Sequence, residues 1–365
     1  MDQKEASRCE SKTAAETPKD AANMLNEFNQ AVKPSSLWDD AWRRLKKNKM
    51  ALVGLFIVGF YFALSVCAPL LPIYSYSEQY IIHQNLPPSF ADAGKVLFRA
   101  RRADMYRVAK AEGRRELSLE QKEKLALFQR ELKTDPVHQR HYILGTDSLG
   151  RDIFARVIYG GRISIMIGLI GTITSLFIGV LVGSISGYFG GWIDNLLMRF
   201  VDIMYGLPYM LVVIIMMAIL GQNMIILFVA IALVSWLTIA RVVRGQVISL
   251  KNSEFIEAAR SMGASTPRII FKHLLPNTLG IIIIYSTLSI PGFIMNESFL
   301  SFLGLGISAP RASWGSLVAE GVNVMTLYPW QLLVPAIAMT VFLFAMNFLG
   351  DGLRDAFDPQ SKNRV

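Results

Sequence analysis

The sequence predicts an all-α membrane protein with six transmembrane helices. Of its 365 residues, 52% are hydrophobic and only 18% are charged, whereas a soluble domain of this length would carry more charge. The apolar residues also form runs of about 18–20 residues, which is the length that crosses a bilayer as a helix. Because the membrane core offers the backbone no water, self-satisfied helices are the expected solution. The predicted spans are 50–72, 163–187, 196–220, 223–243, 278–298 and 331–350.

The basic residues predict the orientation of the spans. The net charge of +9 could indicate a nucleic-acid partner, but cytoplasmic flanks of spans also prefer Lys and Arg. Five basic residues stand between positions 43 and 49 and six between 241 and 272, whereas 299–330 holds Arg311 alone. We therefore expect both termini in the cytoplasm and no nucleic acid. The long segment after the first span is also rich in Arg and Lys, but long loops translocate regardless of charge.

Two segments precede the first span. Residues 1–35 are polar and poor in aromatic residues, so we expect a disordered cytoplasmic tail. Residues 36–49, SLWDDAWRRLKKNK, indicate an interfacial helix with an apolar stripe against a basic face. A simple flanking anchor explains this pattern equally well. The stripe consists of Leu37, Trp38, Trp42 and Leu45.

An outer insert at residues 73–141 is predicted to be a small helical subdomain. One helix is expected from about residue 95 to Gly113, a glycine that can terminate it. A second helix begins at Ser118, which has capping-box spacing with Gln121, and Pro136 stops it. The insert either docks an external partner or packs as a lid on its own chain, and the pattern slightly favours the lid.

Neither a metal nor a nucleotide is expected to bind this chain. His138 and His141 lie near Asp135, but a zinc site needs three or four well-placed ligands. Gly304 and Gly306 form a G-x-G without a third glycine, and the sequence has no G-x-x-x-x-G-K-[ST] phosphate loop. We therefore expect a protein that is not an enzyme and has no cofactor.

The segment HYILGTDSLGRDIFARVIYGGR, residues 141–162, connects the insert to the second span. A Gly-Thr-Asp turn precedes a helix with Arg151, Asp152 and Arg156 on its polar side. We expect an outer amphipathic helix that lies on the membrane, with these charges forming an ordinary solvated face. Its apolar face consists of Ile153, Phe154, Val157 and Ile158.

Small residues and the placement of charge characterise the spans. Four glycines assigned to the second span recur at every fourth position and form a smooth strip for close helix packing. Ionisable residues avoid the centre of every predicted span, and Glu297 lies at the outer end of the fifth. This placement argues against an ion-coupled carrier, which usually keeps an ionisable or broken-helix site near the midplane. The four glycines are Gly179, Gly183, Gly187 and Gly191.

The segment EFIEAARSMGASTPRIIFKHLLPN, residues 254–277, is unusually polar for its position between two spans. Glu254 and Glu257 suit a helix start, Gly263 can end that helix in the left-handed conformation, and Pro267 suits the first turn of a second helix. The sequence thus predicts a rigid helix–turn–helix that feeds the fifth span. Its small residues form a bare surface for a docking protein, although an interfacial helix without a partner explains the pattern equally well. These small residues are Ala258, Ala259 and Gly263.

The Glu-Ala-Ala, Gly263 and Leu-Leu-Pro spacing resembles the EAA loop of ABC importer permeases. Three further segments are similar to signatures of the peptide-transporter branch: LGTDSLGRDIFARVIYGGRISI, NESFLSFLGLGISAPRASWGSL and NFLGDGLRDAFDP. The resemblance runs from about Ser36 to Pro359. His273 stands where the family usually has an aliphatic residue, although the peptide branch often has histidine there.

The resemblance implies the fold of type I ABC importers, with a permease core at 142–350, and a bacterial inner-membrane protein that imports oligopeptides. The implied partners are a homologous permease, two cytoplasmic ATPase subunits, a periplasmic oligopeptide-binding protein and the peptide. In the family, the EAA loop, here 245–277, is the coupling helix that enters a cleft of the ATPase. The periplasmic loop, here 299–330, and the insert would contact the binding protein, and 351–365 would be a cytoplasmic tail.

The resemblance also assigns site residues. Coupling to the ATPase is expected from Glu254, Glu257, Ala258, Ala259, Gly263, Pro267, His273 and Pro276. A periplasmic motif comprises Gly145, Thr146, Asp147, Gly150, Arg151 and Asp152. The periplasmic loop contributes Glu297, Pro310 and Trp314.

Three alternatives remain at this stage. A permease for dipeptides, nickel complexes or antimicrobial peptides would share every motif quoted above. A secondary carrier or channel would work without ATP and would carry ionisable residues in mid-span. A membrane enzyme would need a clustered nucleophile or metal set, for which only the weak His138 and His141 pair is a candidate.

Overall fold

The computed structural model describes residues 37–221, 223–307 and 309–357, so the predicted 1–35 tail and the end of the 351–365 tail lie outside the described residues. Within these ranges the protein is helical, with turns and two isolated β-bridges and no longer strand. In chain order, the helices are α1 (Leu37–Lys47), α2 (Lys49–Cys67), α3 (Ala93–Ala111), α4 (Leu119–Thr134), α5 (Ile153–Phe189), α6 (Gly191–Gly206), α7 (Tyr209–Leu220), α8 (Met224–Leu250), α9 (Glu254–Ser261), α10 (Thr266–Phe302), α11 (Trp314–Val322) and α12 (Trp330–Phe357).

Five helices of the described chain are long and apolar enough to cross a membrane: α2, α5, α8, α10 and α12. The pair α6 and α7 forms a sixth span if it is counted as one, but it bends by 79°. The sequence predicted a single uninterrupted span at 196–220. The break arises at Leu207–Pro208, because proline has no N–H to continue the helical ladder and its ring obstructs the preceding turn.

The helix α5 is longer than predicted. Residues 153–162 do not form a separate helix on the membrane but are the first turns of a continuous helix of 37 residues. Asp152 caps its start by accepting hydrogen bonds from the N–H groups of Phe154 and Ala155. At roughly 1.5 Å per residue such a helix is about 55 Å long, so it extends well beyond a bilayer core of about 30 Å.

Glycines bring α5 against α8. An added Cβ would lie 2.7 Å from Ile239 Cβ at Gly179, 2.5 Å from the Ala240 carbonyl oxygen at Gly183 and 2.9 Å from the Arg244 carbonyl oxygen at Gly187. Any side chain at these positions would push the helices apart. Gly191 does not belong to this strip, because α5 ends at Phe189 and Gly191 starts α6 with a φ of +54° and no described atom near its Cβ position.

The insert is a helical hairpin of α3 and α4, as predicted. The capping box of Ser118 and Gln121 is present, α4 ends before Pro136, and Gly113 has a left-handed φ of +75°. We call the end of the bundle that carries this hairpin the insert end, and the end that carries α9 the opposite end.

The predicted tail at 351–365 begins as the last turns of α12 rather than as a free tail. Helix α12 continues to Phe357, and Ala356 packs with Ala41, Leu45 and Ala51 of α1 and α2. Asn48 caps α2 and also donates to Asp355. The first and last helices of the described chain therefore pack against each other.

Candidate functional site

The predicted helix–turn–helix lies at the opposite end, between α8 and α10. Gly263 adopts a φ of +79° with open space around it among the described residues, so glycine is favoured here by backbone conformation rather than by crowding. Pro267 stands in the first turn of α10. The Ser253 hydroxyl does not cap α9 but donates to the Leu250 carbonyl oxygen at 2.6 Å.

Helix α9 has two distinct faces. Ile256 and Ala259 are buried, and Ile256 belongs to an apolar cluster with Val247, Ile269 and Leu274. Ala259 is therefore part of the anchor and not part of a bare docking surface, which corrects the sequence-based expectation. The predicted coupling residues that remain exposed are Glu254, Glu257, Ala258, Gly263, Pro267 and Pro276.

Two exposed apolar residues of this end were missed by sequence reasoning. Phe255 is 41% exposed and Met262 is 81% exposed. With Ala258 they stand at positions i, i+3 and i+7, which share one helical face. We call Phe255, Ala258 and Met262 the exposed stripe. The available sequence signal was their spacing, because Phe255 and Met262 are large apolar residues seven positions apart in a polar segment.

His273 and Pro276 lie inside one continuous helix. A π-helical turn spans Ile270–Leu274, and the half-buried His273 accepts a hydrogen bond at its carbonyl from Asn277 Nδ2 at 2.6 Å. Pro276 has no N–H for the preceding turn, and a widened turn accommodates such a residue. The expected second short helix is thus the start of α10 itself.

At the insert end, the Gly-Thr-Asp segment forms a buried ion network. Asp147 Oδ2 accepts from Arg151 Nε at 2.6 Å and from Arg156 Nη1 at 2.7 Å. Glu320 of α11 accepts from Arg156 at 2.7 and 3.1 Å and from Arg151 at 3.0 Å. Arg156 is 1% exposed, so the expectation of an ordinary solvated face was wrong.

The other residues of the motif fix its turn. Gly145 and Gly150 have φ values of +81° and +74°, and a Cβ on Gly150 would overlap the Tyr80 carbonyl. Thr146 Oγ1 donates to the His83 carbonyl oxygen at 2.5 Å and accepts from the Leu86 N–H at 2.8 Å. The motif therefore ties the insert to the start of α5.

His138 and His141, the weak metal candidate of the sequence, face different partners. His138 Nδ1 lies 2.9 Å from His83 Nε2, whereas His141 faces Asp92 at 3.2 Å. Burial, together with the charges of His138 and Arg140, lowers the pKa of His83 to about 4. Within the described ranges, no three His, Cys, Asp or Glu side chains are grouped as metal ligands.

Two residues assigned to the outer loop are internal. Glu297 is fully buried within α10, where one carboxylate oxygen accepts from the hydroxyls of Ser301 and Ser313 at 2.6 Å each. Trp314 is 1% exposed, packs against Gly161 and donates to the Val157 carbonyl oxygen. Neither residue can offer a docking surface, and only Pro310 of the three is exposed.

Two protein-family models match this chain. Residues 179–363 match the model of the family described as "Binding-protein-dependent transport system inner membrane component". Residues 36–88 match "N-terminal TM domain of oligopeptide transport permease C".

Curated relatives match nearly the whole chain. The dipeptide transport system permease protein DppC of Bacillus subtilis is 41% identical and covers 92% of this chain and 89% of its own length. The oligopeptide transport system permease protein OppC of the same organism is 37% identical over 93% and 95%, respectively. Among solved structures, the MetNI methionine ABC transporter is 18% identical with a TM-score of 0.46, covering 56% of this chain and 97% of that chain, and no conclusion rests on it.

Proposed function

Since this chain belongs to the family of binding-protein-dependent transport system inner membrane components, we propose that it is the membrane-spanning subunit of an ATP-driven oligopeptide importer. It is an integral inner-membrane protein with the permease fold of that family. A dipeptide importer is the second candidate, because relatives named for dipeptide and for oligopeptide transport match it at 41% and 37% identity.

The exposed stripe carries the proposal. Large apolar side chains beside charged residues on a protein surface often mark a docking site, and here Glu254 and Glu257 adjoin Phe255 and Met262. The stripe also lies on a helix whose other face is fixed in an apolar cluster with α8 and α10. A partner that moved α9 would therefore move two spans with it.

The partners follow from this arrangement. Two cytoplasmic ATPase subunits would supply the energy, one of them through α9, since this sequence has no phosphate loop of its own. A homologous permease would complete the translocation path, and a periplasmic binding protein would deliver the peptide at the insert end. In this proposal α9 and both termini lie in the cytoplasm, as the basic flanks predict.

The test is purification of the tagged chain with its partners, followed by reconstitution and an ATPase assay. We expect a second permease and two ATPase chains to co-purify, and peptide-loaded binding protein to stimulate ATP hydrolysis. A chain that purified alone and moved solute without ATP would instead support the carrier reading.

One variant pair tests the exposed stripe directly. Met262→Glu places a charge in the stripe and should release the ATPase subunits during purification. Leu119→Glu changes a similarly exposed residue, 86% accessible, at the insert end and should leave the complex intact. Loss of the complex in both variants, or in neither, would contradict docking through α9.

A further inference from the structure

A cavity of about 520 Å³ lies where α6 and α7 break, beside α8 and α10. The Leu207 N–H donates a hydrogen bond to the Met204 carbonyl oxygen, and Pro208 has no N–H to donate. The break therefore leaves carbonyl groups of α6 without helical partners. At membrane depth, such backbone is tolerated where it is buried in protein or lines a water-filled cavity. The volume falls in the range of roughly 300–1,000 Å³ that is typical of ligand pockets.

Neutral hydrogen-bonding groups line this cavity. Ser235 Oγ is buried and has no partner among the described residues. The Tyr209 hydroxyl is buried beside Asn296 without a hydrogen bond of normal geometry. Buried polar groups are nearly always paired, so two hydroxyls without a normal hydrogen bond in the wall of this cavity are unusual. Two more hydroxyls at the cavity, those of Tyr205 and Thr238, lie 2.5 Å apart.

The surface beside the cavity is also polar. Arg241 bonds to Asp202 at 2.6 Å and stacks over the Tyr205 ring at 4.0 Å, although 44% of the arginine side chain and 55% of the aspartate side chain are exposed. Charged groups facing lipid are costly and rare. By contrast, the exposed residues of α12 include Leu333, Ile337 and Phe344, as expected for a lipid-facing helix. The charged pair lies towards the α9 end of the bundle, so the surface beside the cavity is polar at that end.

We propose that this cavity binds the backbone of the transported peptide, an inference that rests on the proposed function. The carbonyls of the broken span accept hydrogen bonds from peptide N–H groups. The hydroxyls and the Asn296 amide donate to peptide carbonyls. Among the described residues, none that lines the cavity carries a charge, so the site recognises the main chain without selecting charged side chains. Such a site suits a permease that accepts peptides of varied sequence.

Cysteine labelling in the complete importer tests this site. Cys9 and Cys67 are replaced by Ser, and Thr238→Cys or Asn296→Cys is introduced. The binding protein then delivers a peptide that carries a thiol-reactive group. We expect ATP-dependent labelling at both positions, at least tenfold above a Thr340→Cys control on α12, where Thr340 is likewise an exposed residue within a span. Excess unreactive peptide should suppress the labelling.

Transport by the variants gives a second readout. Asn296→Leu removes one hydrogen-bonding group and should lower peptide transport about three- to tenfold, the factor for one neutral hydrogen bond, whereas Thr340→Val should transport normally.

Labelling that equals the control, or that competing peptide does not reduce, would overturn the proposed site. The proposed function would still stand if the unmodified importer showed ATP-driven peptide uptake. If the unmodified importer shows no ATP-driven peptide uptake, both proposals fail.

Discussion

The two ends of the helical bundle are held by opposite chemistry. At the insert end, short ion pairs join the start of α5 to α11. The residues that form them are Asp147, Arg151, Arg156 and Glu320. At the opposite end, α9 is held by its buried face, where Ile256 packs in an apolar cluster and Ala259 is also buried, and its charged residues are exposed.

This difference separates an end with fixed geometry from an end that presents a surface. A buried ion network tolerates little displacement, because each charge depends on its partners. Apolar burial is non-directional. A displacement of α9 can therefore move α8 and α10 without depending on one specific set of hydrogen bonds or ion pairs. We expect changes at the insert end to act on stability and changes at the opposite end to act on coupling.

The largest stability effect is expected from breaking the ion network. Arg156→Leu leaves Asp147 buried with one partner fewer, and removing one partner of a buried ion pair costs about 3–5 kcal/mol. Arg162→Leu removes an exposed arginine one and a half turns further along α5 and should cost under about 0.5 kcal/mol. Denaturation midpoints in detergent compare the two variants, and equal shifts would show that the network adds nothing to stability.

That network also marks the limit of sequence reasoning. The capping box of Ser118 and the turn at Gly263 were predictable, because both depend on residues within a few positions. Glu320 lies 164 residues from Arg156, and no local pattern connects them. The predicted fold class, an all-α membrane protein with the fold of its permease family, is confirmed.

Two other misses have different causes. The burial of Ala259 depends on how α9 packs in the folded chain, which no local pattern shows. The bend before Pro208 was readable, since Gly206, Leu207 and Pro208 stand within a predicted span, and proline disrupts helix interiors. An apolar run reports length and composition, but it does not report whether the helix is straight.

An intermediate effect is expected where α5 joins the two ends. Gly183→Ala places a Cβ 2.5 Å from the Ala240 carbonyl oxygen, and overpacking of this kind costs about 1–3 kcal/mol. Gly59→Ala in α2 meets no described atom within 4 Å and should stabilise the helix by up to roughly 1 kcal/mol. Thermal unfolding of the two variants should therefore shift in opposite directions. A Gly183→Ala variant as stable as the unmodified chain, or more stable, would show that α5 and α8 can separate without cost.

The smallest stability effect, about 1–2 kcal/mol, is expected from Gly263→Val, which forces a side chain into a left-handed turn. Gly113→Val is its counterpart at the insert end, because Gly113 has a φ of +75° against +79° for Gly263 and neither Cβ position meets a described atom within 4 Å. The two variants should therefore lose similar stability. They should differ in ATP-driven peptide uptake, since only Gly263 forms the turn that joins α9 to α10. We expect Gly263→Val to lose uptake far beyond its stability cost and Gly113→Val to keep it. If Gly263→Val retained uptake, α9 would not be the coupling element; if both variants lost uptake equally, the two ends would not have the separate roles argued above.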